Sequence, residues 1–205
     1  MNEIIGVLAL GISAVSYGLY IANTLRGHTR PHAITWLIWA ALNSLVFMTQ
    51  VTNGAGPGAW VTGSAALANM VIFILSLRFG ERSINRLDWV TLILVTLLLG
   101  LWVQVSDPTA AIVLAVVISA LGLLPTILKA SRNAHEETAL TFALNGTKFL
   151  LAMTALSTVT VVTALYPLSL FVMNMGFALY LVVARRRQGP RPVPVSVRRR
   201  DLGQR

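Results

Sequence analysis

The sequence predicts an all-α membrane protein: seven transmembrane helices in two parallel three-helix bundles joined by a linker helix. Three observations carry this. Of 205 residues, 56% are apolar and 11% charged, against roughly 25% charged in an ordinary soluble domain, and the mean hydropathy is +0.73. The apolar residues fall in runs of about 20, the length that crosses a bilayer. Apart from Lys148 and an Arg-rich tail, the basic residues fall in or beside alternate gaps between those runs.

The runs are 4–25, 33–51, 59–79, 88–105, 109–130, 138–157 and 161–184. Arg26-Gly27-His28-Thr29-Arg30-Pro31 ends the first. Asn53-Gly54-Ala55-Gly56-Pro57-Gly58 ends the second. Asp107-Pro108 places an N-cap acid and a first-turn proline before the fifth. Arg132 to Glu137 separates the fifth from the sixth, and Glu136 and Glu137 stand where a helix N-terminus favours negative charge. The cut between the sixth and seventh must fall within Leu156 to Leu165, which has no charge, Gly or Pro. Met1-Asn2-Glu3 lacks the positive start of a signal peptide, so the first helix is expected to be retained.

Arg26 and Arg30, then Arg78, Arg82 and Arg86, then Lys129 and Arg132, lie in alternate loops, and an Arg-rich tail follows the last run. By the bias of Lys and Arg toward the cytoplasm, the N-terminus is expected outside and the C-terminus inside the cell membrane. The formal charge of +9 does not describe a nucleic-acid surface, because residues 185–205 alone carry eight Arg and one Asp. This tail, with Pro190, Pro192 and Pro194, is expected to be disordered and to touch anionic lipid head groups. Cysteine is absent, which excludes disulfides and thiolate metal sites.

A short internal repeat lies at an offset of about 105. Asn69-Met70 in the third run matches Asn174-Met175 in the seventh, and Thr35-Trp36 matches Thr141-Phe142 with one residue of slip. Each triplet reads helix, basic loop, helix, uncharged loop, helix. Three crossings reverse the chain, so a parallel repeat needs an extra span between the triplets, and the fourth run supplies it. The units are then 1–79, a linker 80–106, and 107–184, with the tail 185–205.

This layout resembles the SWEET/PQ-loop superfamily over about residues 4–184. Gly122-Leu123-Leu124-Pro125-Thr126, followed by Lys129 to Arg132, is similar to the family's Pro-Gln element, with Thr in place of Gln. The corresponding place in the first triplet, Tyr20-Ile21, has no proline. Trp36-Leu37-Ile38-Trp39 is similar to the Trp-rich helices of nicotinamide riboside transporters of this fold, although position 42 is Leu where a third Trp would stand. The resemblance implies a central route for a small neutral solute and a pair of solute-binding Asn residues, which fall on Asn69 and Asn174.

Polar groups in lipid are costly and face the bundle interior, so they form the list of candidate site residues. Asn69 and Asn174 offer amide donors and acceptors to a solute, or act as interhelical glue. Lys148 is the charge well inside a span, with no acid expected at its depth. It shares a helical stripe with Asn145, Thr141 and Ala152 that offers an anion or polar group a place; alternatively its stem snorkels to an interface. Trp39 and Asn43 share a face with Trp36, which is expected in an interfacial aromatic belt. Tyr17 and Tyr20 face the route or simply pack, Asn23 belongs to a gate, and Pro125 is a hinge.

His28, His32 and His135 lie in or beside loops without the spacing of a metal site, and no catalytic constellation or cofactor motif is present. The expectation is therefore a non-enzymatic transporter or facilitator of a small polar, neutral solute, working by alternating access. No carboxylate is expected in the spans, which favours facilitated diffusion. The alternative is a receptor or scaffold of the same fold. An oligomer is compatible with either.

Overall fold

The computed structural model describes residues 2–81 and 84–189. These residues form seven α-helices and no strand: α1 (Asn2–Leu25), α2 (Ala33–Thr52), α3 (Trp60–Phe79), α4 (Arg86–Gln104), α5 (Pro108–Arg132), α6 (Ala139–Thr154) and α7 (Val161–Gln188). Six are long and apolar enough to cross a membrane. The exception, α6, has 16 residues, about 24 Å at 1.5 Å per residue, against a hydrocarbon core of about 30 Å. The outward surface is apolar, as lipid demands: Leu67, Leu97 and Val103 are 75%, 67% and 71% exposed.

Local chemistry sets the helix ends. Asp107 accepts from the N–H groups of Thr109 and Ala110, with Pro108 at the first helical position. Asn85 and Asp88 form a capping box, which starts α4 at Arg86. Thr160 and Thr163 form another at α7. The hard-to-place turn between the sixth and seventh runs is thus Ala155 to Thr160, and α6 ends at Thr154, three residues before its expected end at 157.

Two departures concern charge. Helix α7 continues through Arg185, Arg186 and Arg187 to Gln188, so the expected tail begins later than 185. Arg185 holds it there by donating from Nε to the carbonyl of Ala134 at 3.1 Å and from Nη2 to that of Glu137. The expected disorder of 190–205 lies outside the described residues. Lys129, expected in a basic loop, is buried in the last turn of α5 and paired with Glu137.

The loops gather at two ends. The α1–α2, α3–α4 and α5–α6 connections and the end of α7 meet at one: the Glu81 N–H donates to the Pro31 carbonyl (3.0 Å), and Arg30 pairs with Glu136 (3.4 Å). All the basic segments with described residues share this basic end. The α2–α3 and α6–α7 connections meet at the other, where the Ser157 N–H donates to the Ala55 carbonyl at 3.2 Å. Among the helices, α3 packs on α1 and α2, while α7 packs on α5 and α6. Across the middle, α1 packs on α6 and α2 on α5, and α4 lies mainly on α5.

Candidate functional site

Seven of the polar and aromatic residues singled out in the sequence converge. Tyr17, Trp36, Trp39, Asn43, Asn69, Asn145 and Asn174 line one cavity with Phe149 and Leu170. Helices α1, α2, α3, α6 and α7 all contribute, each bringing a residue from its interior. The cavity holds about 20 Å³, room for one water molecule.

The four amides are not equivalent. Asn43 donates to the Trp39 carbonyl at 2.8 Å and accepts from the Tyr166 hydroxyl at 3.3 Å. Asn145 accepts from the Ser16 hydroxyl at 2.9 Å. Asn174 donates to the Leu170 carbonyl one turn back at 2.8 Å. Asn69 is 2% exposed, and its Oδ1 has no partner. A buried acceptor left unpaired costs about 1–3 kcal/mol, so this oxygen is an open demand for a donor at the cavity wall.

Trp36 is 1% exposed and lines the cavity, so it is a core residue and not part of an interfacial belt. Its neighbours explain this. The Tyr20 ring lies 4.7 Å away and the Trp39 ring 5.4 Å away. Tyr20 also meets Phe142 edge-on at 6.4 Å. These rings form an apolar floor between the amides and the basic end.

Below the floor the basic end is laced shut. The Tyr20 hydroxyl donates to Glu137 Oε2 at 2.9 Å, and Lys129 donates to Glu137 Oε1 and to the Arg30 carbonyl. Asn23 Nδ2 reaches Thr138 Oγ1 at 3.4 Å, and the Thr29 and Thr138 hydroxyls lie 2.5 Å apart. Glu137 therefore ties α1, α5 and α7 together, and Lys129 adds the first loop; Glu137 does not serve as the expected charge in the first turn of α6. Burial holds its carboxyl above the usual carboxylate range, with Lys129 and Tyr20 opposing. Pro125 lies apart from the amides, beside a pocket of about 160 Å³ at this end that also includes His32 and Lys129. Burial lowers the His32 imidazole below its ordinary value despite Asp88 at 3.4 Å.

The opposite end is closed by packing. Gly56 has a φ of +59°, and a Cβ on Gly58 would stand 2.6 Å from Leu156 Cδ2 and 2.9 Å from the Ala152 carbonyl. Only glycine permits this approach. Ala55, Ala59 and Leu156 form the resulting plug.

Lys148 lies beside the cavity and does not line it. It is fully buried, and its stem does not snorkel to an interface. Its Nζ donates to Ser13 Oγ at 3.2 Å and stands 3.8 Å from the centroid of the Tyr17 ring, whose residue also lines the cavity. The Phe149 ring is 5.0 Å away.

Sequence reasoning missed Ser13, Ser16, Gln50, Phe149 and Pro167. Gln50 is fully buried, with Nε2 3.5 Å from the Thr163 carbonyl. It was legible as an amide inside an apolar run, as Pro167 was as a proline inside one. The serines and Phe149 carried no distinguishing signal. Comparison with family models, with curated proteins and with solved structures found no match.

Proposed function

We propose that the protein is a membrane transporter of a small polar, neutral solute, working by alternating access between two three-helix bundles of SWEET/PQ-loop type. The carrying observation is the unpaired Asn69 Oδ1 in a buried cavity with three further amides and aromatic rings. Such a wall fits a solute with N–H or O–H donors on one edge and an apolar or planar face for Trp36, Trp39 and Tyr17.

The packing supports the two-bundle reading. Exchanging α1 with α5, α2 with α6 and α3 with α7 maps the principal contacts onto themselves: α1–α3 onto α5–α7, α2–α3 onto α6–α7, and α1–α6 onto α5–α2. Helix α4 is outside this exchange, as a linker would be. Rocking of the bundles would part the α1–α6 and α2–α5 seams. Both ends are closed and the cavity admits one water, which describes an occluded state.

The two closures differ in kind. The basic end is held by an ion pair and hydrogen bonds, the other by apolar packing around glycine. The basic end is assigned to the cytoplasm by the positive-inside bias.

The test is a thermal-shift screen of purified protein against sugars, nucleosides, amino acids and small carboxylates. A bound ligand raises the melting temperature by mass action. The expected result is a stabilising neutral solute whose effect is lost in Asn69→Ala and kept in Lys148→Ala. A carboxylate hit lost with Lys148→Ala would replace the neutral solute by an anion. Absence of any shift would favour a receptor or scaffold.

A further inference from the structure

A second small cavity adjoins the amide cavity. It holds about 10 Å³, and Trp39, Leu170 and Asn174 line both. What it adds is helix α5, through Ser119 and Leu123. Ser119 is buried, and its Oγ has no hydrogen-bond partner. The Tyr166 hydroxyl interacts with it without closing a hydrogen bond, and donates to Asn43 instead. A buried hydroxyl in a helix has a ready remedy, a bond to a carbonyl one turn back. Ser44, Ser76 and Ser169 take it, donating to the carbonyls of Ala40, Phe73 and Tyr166. Ser119 does not.

The two halves of the chain explain why. Ser16 meets Asn145 across the α1–α6 seam at 2.9 Å. Each is matched 106 positions away across the α2–α5 seam, Ser16 by Gly122 and Asn145 by Trp39, and a Cβ on Gly122 would stand 3.4 Å from Trp39 Nε1. In that register, which is also that of Thr35 and Thr141, Ser119 is the counterpart of Ser13. Ser13 Oγ accepts from Lys148 Nζ at 3.2 Å and lies 2.9 Å from Ser64 Oγ. The counterparts of Lys148 and Ser64 are Leu42 and Leu170, which offer a hydroxyl nothing. The serine of the first half is partnered. That of the second is left open, with Leu170 in the wall beside it.

We propose that the Ser119 hydroxyl is a solute-binding group and that the solute spans both cavities alongside Trp39. The proposal rests on the transport reading. Asn69 Oδ1 only accepts, whereas a serine hydroxyl both donates and accepts. Helices α3 and α5 both pack on α2, so the two groups reach the shared wall from different helices. The solute class follows: a neutral molecule with an N–H or O–H at the end facing Asn69 and a carbonyl or hydroxyl oxygen at the end facing Ser119. The Trp39 indole N–H is given to the Ser119 carbonyl at 3.3 Å, so the ring face is what remains for the solute. Gly122 lets α2 and α5 approach closely, and seating the solute eases that seam apart.

The test uses the full-length protein in detergent, with glucose, inositol and uridine as neutral probes that carry hydrogen-bonding groups at more than one end. Titration calorimetry gives the dissociation constant, and melting is followed without probe. For a probe that binds the wild type, Ser119→Ala and Asn69→Ala should each weaken binding about tenfold, the contribution of one hydrogen bond. Ser44→Ala, which removes a hydroxyl bonded to the Ala40 carbonyl, should leave binding unchanged. Without probe, Ser119→Ala should melt no lower than the wild type, because it removes a hydroxyl that nothing holds. Unchanged binding in Ser119→Ala beside weakened binding in Asn69→Ala would overturn this proposal and leave the transport reading standing. A lower melting temperature of probe-free Ser119→Ala would also overturn it, by showing the hydroxyl to be spent within the fold. Failure of every probe to bind the wild type would overturn both.

Discussion

The two lysines of this chain solve the same problem in different ways. Lys129, 6% exposed, sits near the basic end, where the loop after α5 delivers Glu137 directly to it. Lys148, 0% exposed, sits ten residues into α6, where no loop reaches, and its surroundings are a hydroxyl and two rings. The first charge is neutralised and used as a rivet between helices. The second is left without a counter-charge, at a place where a carboxylate would need its own means of burial. Depth decides which solution is open: a closure can be made of ions near a surface, whereas an amine ten residues into α6 is met by a hydroxyl and ring faces.

This contrast is breakable. Lys129→Met leaves Glu137 buried without its cation, and removing one partner of a buried pair costs about 3–5 kcal/mol. Denaturant melts of the purified protein should show this as the largest loss. Gly58→Val, at the end closed by packing, forces a side chain against Leu156 and the Ala152 carbonyl. It should cost about 1–3 kcal/mol and leave the Lys129–Glu137 closure intact. Lys148→Met removes an unpaired charge and keeps the volume, so stability should change by less than about 1 kcal/mol or rise. Equal losses in Lys129→Met and Lys148→Met would end the distinction between them.

The smallest expected effect is on pH dependence. His32 has its folded value lowered by burial, so its contribution is full above about pH 6.5 and is lost as pH falls toward the folded value. Glu137 has the opposite sign, because its folded value is raised. Its contribution is present at acid pH and fades as pH rises through that value. His32→Gln should therefore flatten the acid-side loss of stability, and Glu137→Gln should steepen it. Melting temperatures between about pH 7 and pH 5 measure both.

Much of the fold was legible because lipid enforces simple rules. Apolar run length, Asp107-Pro108 and the basic gaps located the helices to within a few residues. The meeting of Asn43, Asn69, Asn145, Asn174 and Trp39 was anticipated by treating intramembrane polar residues as inward-facing. What escaped was partnership. Lys129 counted as a loop charge because the sequence does not show that the chain turns back to place Glu137 beside it. Trp36 was assigned to the membrane surface because its position near a helix end says nothing of the Tyr20 and Trp39 rings around it. The Ser13–Ser64 contact spans 51 positions, and single serines in apolar helices leave no pattern.

The burial of both lysines also makes the folded chain a chemical reporter of its own opening. An acylating reagent needs an uncharged, reachable amine, and neither side chain offers one while both seams are shut. Acylation at residue 129 would mark moments when the basic end parts. At residue 148 it would mark moments when α1 swings off α6. Peptide mapping after timed exposure would thus record two separate clocks, one for the basic end and one for the α1–α6 seam, with no probe engineered into the protein.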